Sequence, residues 1–141
     1  MKKQQGFTLM EIMVAIAIIS ILSAIGIPSY QGYIQKAALT DMLQAIVPYK
    51  SSIELCSFET EDFKGCNSGA TSIPNSHNSR YIGNISVKEG EITINGQQSL
   101  KDLNVILIPM KNPQTDTIKW IYKCESASKS LKNRCQEIFK F

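Results

Sequence analysis

The stretch "KKQQGFTLMEIMVAIAIISIL", residues 2–22, places one carboxylate, Glu11, inside an otherwise uninterrupted apolar run. From residue 7 to residue 35 Glu11 is the one charged side chain, and residues 12–27 are Ile, Met, Val, Ala and Leu apart from Ser20, Ser23 and Gly26. That run approaches the ~20 residues that cross a bilayer core. A secretory signal would start at Lys2 and Lys3 and be cut within "LSAIG", residues 22–26. A carboxylate at the head of the apolar region disfavours it, and helix-compatible sequence continues past Ala24. A lipoprotein signal needs a Cys directly after the run, and the first here is Cys56. In a plain membrane anchor, a central charge costs about 2.5–3.5 kcal/mol, so buried carboxylates there are usually partnered. No Lys or Arg lies three or four residues from Glu11. Its partner is expected from outside the chain.

The rest of the sequence sets the frame for this segment. A chain of 141 residues, 43% hydrophobic and 19% charged, has ordinary globular composition. Much of its apolar content precedes residue 29, leaving roughly 110 residues for one modest soluble core. Losing Lys2 and Lys3 with a leader lowers the formal charge from +3 to +1. A near-neutral chain supplies no compositional reason for nucleic acid as the main partner.

"KKQQGFTLMEIMVAIAIISILSAIGIPSYQGY" resembles the N-terminus of type IV pilins, in which a short basic leader ends in Gly and is followed by Phe-Thr-Leu, one variable residue, Glu and an apolar helix. The likeness extends to "YQGYIQKAALTDMLQAIVPYKSSIELC", two pairs of Cys and the C-terminal "CQEIFKF", as in the class IVa major pilins of enterobacteria. The resemblance implies three segments: a leader over residues 1–6, an apolar helix half over 7–28, and a globular head over 29–141 that includes an amphipathic helix half. It implies cleavage by a prepilin peptidase between Gly6 and Phe7, N-methylation of Phe7, and an assembly role for Glu11 with Thr8. Cleavage there leaves the apolar run in place. The implied partners are further copies of the chain in a helical homopolymer, the peptidase, the inner-membrane assembly machinery, and membrane lipid before assembly. The implied location is the inner membrane of a Gram-negative bacterium, then a surface filament.

That setting gives Glu11 a physical reason. A free α-amino group on Phe7 of one subunit can meet Glu11 of a neighbour, so that two charges costly alone become a pair in low dielectric. Methylation keeps the amine charged. Glu11 then acts as a register device, like one polar residue in a coiled-coil core.

Past Pro28, Leu39, Met42, Leu43, Ile46, Val47 and Ile53 follow helical spacing, with Lys36, Asp41, Gln44 and Lys50 on the other side. One helix over residues 7–55, about 70 Å long at 1.5 Å per residue, is expected to protrude by its first half and pack by its second. Gly26, Pro28 and Pro48 are the expected places for it to bend. "CSFETEDFKGCNSGATSIPNSHNSR" then reads as a polar connection. Strands are expected over 81–88, 91–95, 104–109 and 117–124, with a tight hairpin at Glu89 and Gly90 and with Ile118, Trp120 and Tyr122 on one face. The fold class is therefore α+β: a long helix packed on a four-stranded antiparallel sheet.

Cys56, Cys66, Cys124 and Cys135 contain no CxxC, and one histidine cannot complete a usual zinc set, so no metal and no cofactor is expected. An even count in an exported domain favours two disulfides, with three possible pairings. Local closure, Cys56 with Cys66 and Cys124 with Cys135, would pin two polar loops, and the resemblance supports the same pairing.

An enzyme is disfavoured. His77 lies in the polar "PNSHNSR" and reads as solvated; Glu59, Glu61 and Asp62 read as a charged face. Lys119, Lys123, Lys129, Lys132, Arg134 and Lys140 make the C-terminal region basic, which raises a DNA-binding or host-surface adhesive head as a competing class. The function expected is that of a structural major pilin; its nearest rivals are a minor pilin and a type II secretion pseudopilin, which share this N-terminus. Two disulfides and "KCESASKSLKNRCQEIFKF" favour the pilin, because the resemblance gives major pseudopilins a calcium-binding head without that segment.

Overall fold

The computed structural model describes residues 2–70 and 72–140; Met1 of the expected leader, Thr71 of the polar connection and Phe141 of the C-terminal segment lie outside the described residues. The elements are α1 (Leu9–Thr60), β1 (Ile82–Lys88), β2 (Glu91–Gly96), a 3₁₀ turn (Gln98–Leu100), β3 (Leu103–Lys111), β4 (Ile118–Ser126) and α2 (Lys129–Ile138). Residue contacts divide the chain between Ile34 and Gln35.

In the N-terminal unit, α1 runs through Gly26 and Pro28 without a break in its helical assignment. Hydroxyls in this apolar stretch are satisfied locally: Ser20 Oγ donates to the Ile16 carbonyl at 2.7 Å, and Ser29 Oγ to that of Ile25 at 3.1 Å. Such back-bonding removes an unpaired polar group that hydrocarbon could not solvate.

In the C-terminal unit, α1 buries Ala38, Leu39, Met42, Ile46, Tyr49, Ile53, Cys56 and Ser57. Val47, expected on the packed face, is exposed. It follows Ile46 by one residue, about 100° around the helix, and Tyr49 fills the next inward position. The helix also outlasts its expected end at residue 55. Thr60 Oγ1 donates to the Cys56 carbonyl at 2.8 Å, and Glu61, at φ 66°, turns the chain out of the helix in the left-handed region.

The sheet is antiparallel throughout, in the order β1-β2-β3-β4. Ile85, Val87, Ile92, Ile94, Val105, Leu107, Trp120 and Cys124 share one buried cluster with the α1 residues. Period-two alternation sends the neighbouring residues to the outer face. There Asn84, Asn95, Asn104 and Glu125 stand in register across all four strands as one exposed polar row.

The β1–β2 hairpin closes from Lys88 to Glu91 with Glu89 and Gly90 both at positive φ, as a two-residue type I′ turn requires. β3 continues past Pro109. There β2 has already stopped pairing, at Leu107, so proline stands where β3 has β4 alone as its sheet neighbour.

α2 was not expected; the C-terminal segment read as a polar loop. Leu131, Cys135 and Phe139 recur at intervals of four and are buried, and Ser128 Oγ accepts from Leu131 N at 3.4 Å as the N-cap.

Candidate functional site

Residues 2–8 precede the helix, so the Gly6–Phe7 bond lies in non-helical chain two residues before Leu9. Gly6 and Phe7 are exposed, and a Cβ built at Gly6 would meet nothing within 4 Å. The chain's own packing therefore does not demand glycine at position 6.

Thr8 and Glu11 hold each other. Thr8 N donates to Glu11 Oε2 at 2.9 Å, Thr8 Oγ1 donates to the same oxygen at 3.2 Å, and Glu11 N donates to Thr8 Oγ1 at 3.3 Å. This reciprocal arrangement is a capping box, and it starts α1 at Leu9. Sequence reasoning sought a charged partner for Glu11 and missed the local one, although Thr-x-x-Glu ahead of an apolar run is its signature. Both bonds to the carboxylate use Oε2, which leaves Oε1 for a donor from elsewhere. Phe7, Glu11, Ile12, Ala15 and Ile16 line a groove of about 330 Å³ here.

Beyond Glu11 every described residue from 12 to 31 is exposed, and Met13, Ile16, Ile19, Leu22 and Ile25 are more than half exposed. This helix is long and apolar enough to cross a membrane, and its most apolar window has no burial within the chain. So large an apolar surface is not stable in water; lipid or other protein has to cover it.

The head is fastened at several points. Cys56 is bonded to Cys66 with Cα atoms 6.1 Å apart, and Cys124 to Cys135 at 6.2 Å. The first bridge holds the hairpin turn as well, since Gly90 N donates to the Cys66 carbonyl at 2.9 Å and Glu89 N to Asn67 Oδ1 at 2.8 Å. The second joins α2 to β4 rather than closing a loop without secondary structure. Trp120 is a core residue whose Nε1 donates to Glu54 Oε1 at 2.8 Å, with Lys50 Nζ 5.4 Å from the ring centre. Burial pushes Lys50 below its ordinary pKa, and the Glu54 charge opposes that shift.

His77 departs from the solvated reading. Its ring is exposed but stacks on Tyr49 at 5.8 Å, and its Nδ1 lies 2.6 Å from the Tyr49 hydroxyl, which donates to the Asn75 carbonyl at 2.7 Å. A hydroxyl has one proton, so both contacts are satisfied when Nδ1–H donates to Tyr49. The pair latches the polar connection to α1. Burial raises the Tyr49 phenol above its ordinary pKa.

Glu59 is exposed in the last turn of α1, and Glu61 and Asp62 are exposed in the bend that follows it. Asp62 Oδ1 accepts from Lys64 N at 2.9 Å, a local structural bond. Of the basic C-terminal residues, Arg134 is engaged in the core edge, where Nη1 donates to Gln35 Oε1 at 2.5 Å. Lys119 and Lys123 stand on the outer face of β4. No group of three or more His, Cys, Asp or Glu among the described residues could hold a metal ion.

Residues 1–27 match the family described as "Prokaryotic N-terminal methylation motif". Over 142 aligned residues, covering 100% of this chain and 97% of the relative, the chain is 45% identical to prepilin peptidase-dependent protein D of Escherichia coli K12. It is 43% identical to the type IV pilus subunit protein TapA of Aeromonas hydrophila over 74 residues, 52% of each chain. The solution NMR structure of the major type IV pilin PpdD from enterohemorrhagic E. coli superposes with a TM-score of 0.68 at 35% identity, over 77% of this chain and 83% of that one. With sequence identity across nearly the full length, the same α+β architecture and the methylation motif at its start, this chain belongs to the type IV pilin family.

Proposed function

We propose that this chain is the major subunit of a type IV pilus. Residues 1–6 are its leader, removed by a prepilin peptidase after Gly6, with methylation of the new N-terminal Phe7. Residues 7–28 hold the subunit in the inner membrane and then enter the filament core, while 29–141 form the head. The assembly machinery transfers subunits from the membrane pool to a surface filament, with Gly26, Pro28 and Pro48 as the places where the helix yields. The observation that carries this reading is an apolar helix left exposed on every side and bearing one carboxylate at its start. The capping box with Thr8 would use one oxygen of that carboxylate in any setting, but a lipid-only anchor has no use for the other. A filament of staggered helices does, because Glu11 Oε1 can receive the Phe7 amine of the next subunit.

Electron microscopy of shed surface filaments, with mass spectrometry of their main component, tests the proposal. Filaments built chiefly of this chain support it. Filaments that contain it only sparsely make it a minor pilin, and filaments restricted to a secretion complex make it a pseudopilin.

A further inference from the structure

The outer face of the sheet changes character at its β3–β4 end. Away from that end it carries the polar row from Asn84 to Glu125; at the end it exposes Met110, at 53%, and Ile121, at 38%, on either side of Lys119. With Pro113 and Gln114 of the connecting turn these residues line a cleft of about 620 Å³, a size typical of built recognition clefts. Lys111 at its rim is already paired with Asp116 at 3.1 Å, whereas Lys119 has no ion pair among the described residues. The cleft is thus apolar with one uncompensated cation.

The complement is present on the same chain. Where α1 ends, Phe58 is 57% exposed and is followed by the exposed carboxylates of Glu59, Glu61 and Asp62, none of them ion-paired among the described residues. This turn is held in shape before any partner arrives. Thr60 Oγ1 donates to the carbonyls of Cys56 and Asp62, both at 2.8 Å, and the Cys56–Cys66 bridge closes the turn from behind. Such preorganisation lowers the ordering cost of a contact, and an exposed aromatic is the usual anchor of one.

The turn extends from the helix that covers the inner face of the sheet, and Lys119 stands on the outer face. Within one head the turn reaches only the rim of its own cleft, where Lys111 Nζ donates to the Glu61 carbonyl at 3.4 Å and stands 5.7 Å from the Phe58 ring centre. Two unlike patches that meet between copies make a head-to-tail contact, and one that does not close into a ring propagates as a helix. We infer that the Phe58–Asp62 turn of one subunit seats in the Met110–Lys119–Ile121 cleft of a second copy, with Glu59 and Glu61 facing Lys119. The inference rests on the filament reading above and names a second contact for it, made by the heads. A rim charge pair of this kind sets register and orientation more than affinity.

Charge reversal in the full-length chain tests the contact. Lys119→Glu, and separately Glu59→Lys with Glu61→Lys, are each expected to lower filament yield about tenfold relative to the membrane pool, and the combined triple variant to recover most of it. A second measurement needs no variant. Parental filaments mixed from ordinary and heavy-isotope subunits are treated with a zero-length carbodiimide, and Lys119 is expected to couple to Glu59 or Glu61 between differently labelled chains. Unchanged yield in both reversals, or loss in both without recovery in the triple variant, overturns the contact. So does coupling of Lys119 to other carboxylates only. In those cases parental filaments containing chains that start at Phe7 leave the filament reading standing. Absence of this chain from filaments overturns both.

Discussion

Thr8 and Glu11 close the first turn of α1 on each other, with Glu11 Oε2 accepting from both Thr8 N and Thr8 Oγ1 and the Thr8 hydroxyl oxygen accepting in turn from Glu11 N. The arrangement does not involve residues 1–6, so the proposed cleavage after Gly6 would leave it intact. One carboxylate oxygen therefore starts the helix, and the other takes no bond from Thr8. If the proposed cleavage after Gly6 occurs, the capping box holds the Glu11 carboxylate close in sequence to the new Phe7 amine, so the local chemistry that begins the helix would also orient the proposed assembly group.

The mature chain is expected to begin at methylated Phe7 and to lack Lys2 and Lys3. The Gly6–Phe7 bond is exposed and outside the helix, where a peptidase can reach it without unwinding α1. Intact-mass measurement of membrane and filament material checks this. A chain beginning after Ala24 would identify an ordinary signal peptide.

Removing the Cys56–Cys66 bridge as a paired Cys→Ala variant is expected to lower head stability by about 2–3 kcal/mol, from loop closure in the unfolded chain. The bridge also positions the partners of the β1–β2 turn. Amide exchange at Glu89 and Gly90 should therefore accelerate in this variant more than exchange in β3 and β4. Equal acceleration throughout would show that the bridge acts on global stability alone.

The legible and illegible parts of the sequence differ in how local their causes are. The sheet could be read because its strands alternate and because Glu89-Gly90 is a turn pair, so periods and turn chemistry carried the information. The end of α1 could not be placed. Ser57 and Thr60 look like loop residues; in the helix their hydroxyls are satisfied by carbonyls behind them at Glu54 and Cys56, and Ser57 is buried against the core. α2 was hidden by its polar composition, with the apolar spacing of Leu131, Cys135 and Phe139 as its one signal. The Tyr49–His77 latch joins residues 28 apart in sequence, and nothing local to either one announces it. At the N-terminus Thr8 and Glu11 carry two signals at once, a capping spacing satisfied within the turn and a charge that points outside the chain.

Tyr49 and Lys50 are expected to give the head opposing pH slopes in the alkaline range. The Tyr49 phenol lies above its ordinary value of 10.0 when folded, so above pH 10 the unfolded chain loses that proton first and stability falls as pH rises. Lys50 lies below its ordinary 10.5, so approaching 10.5 from below the unfolded chain holds more protons and stability rises with pH. Denaturant midpoints across this range should show a shallower alkaline loss in Tyr49→Phe and a steeper one in Lys50→Met. Tyr49→Phe should also cost about 0.5–1.5 kcal/mol at neutral pH, the net worth of a hydrogen bond whose remaining partners, Asn75 and His77, are exposed to water. Parallel profiles in all three proteins would rule out titration at these sites.

Glu11→Ala and Glu11→Gln together separate the capping role from the charge. Alanine removes both; glutamine keeps an oxygen that can accept from Thr8 and removes only the charge. Membrane insertion should be unharmed in either, because the segment becomes more apolar. Amide exchange at Thr8 in detergent-solubilised subunits should rise in Glu11→Ala and stay near the parental rate in Glu11→Gln. The head folds around a core in residues 35–141 and should oxidise normally in both. In the filament each variant leaves the neighbouring Phe7 ammonium without its carboxylate, and breaking a buried pair costs about 3–5 kcal/mol. Cleaved subunits should therefore accumulate in the inner membrane while surface filaments become scarce for both variants. If Glu11→Gln assembles as well as the parent and only Glu11→Ala fails, the capping box rather than the ion pair is what assembly requires. Normal filament yield from both would return Glu11 to the role of a tolerated charge at the membrane edge.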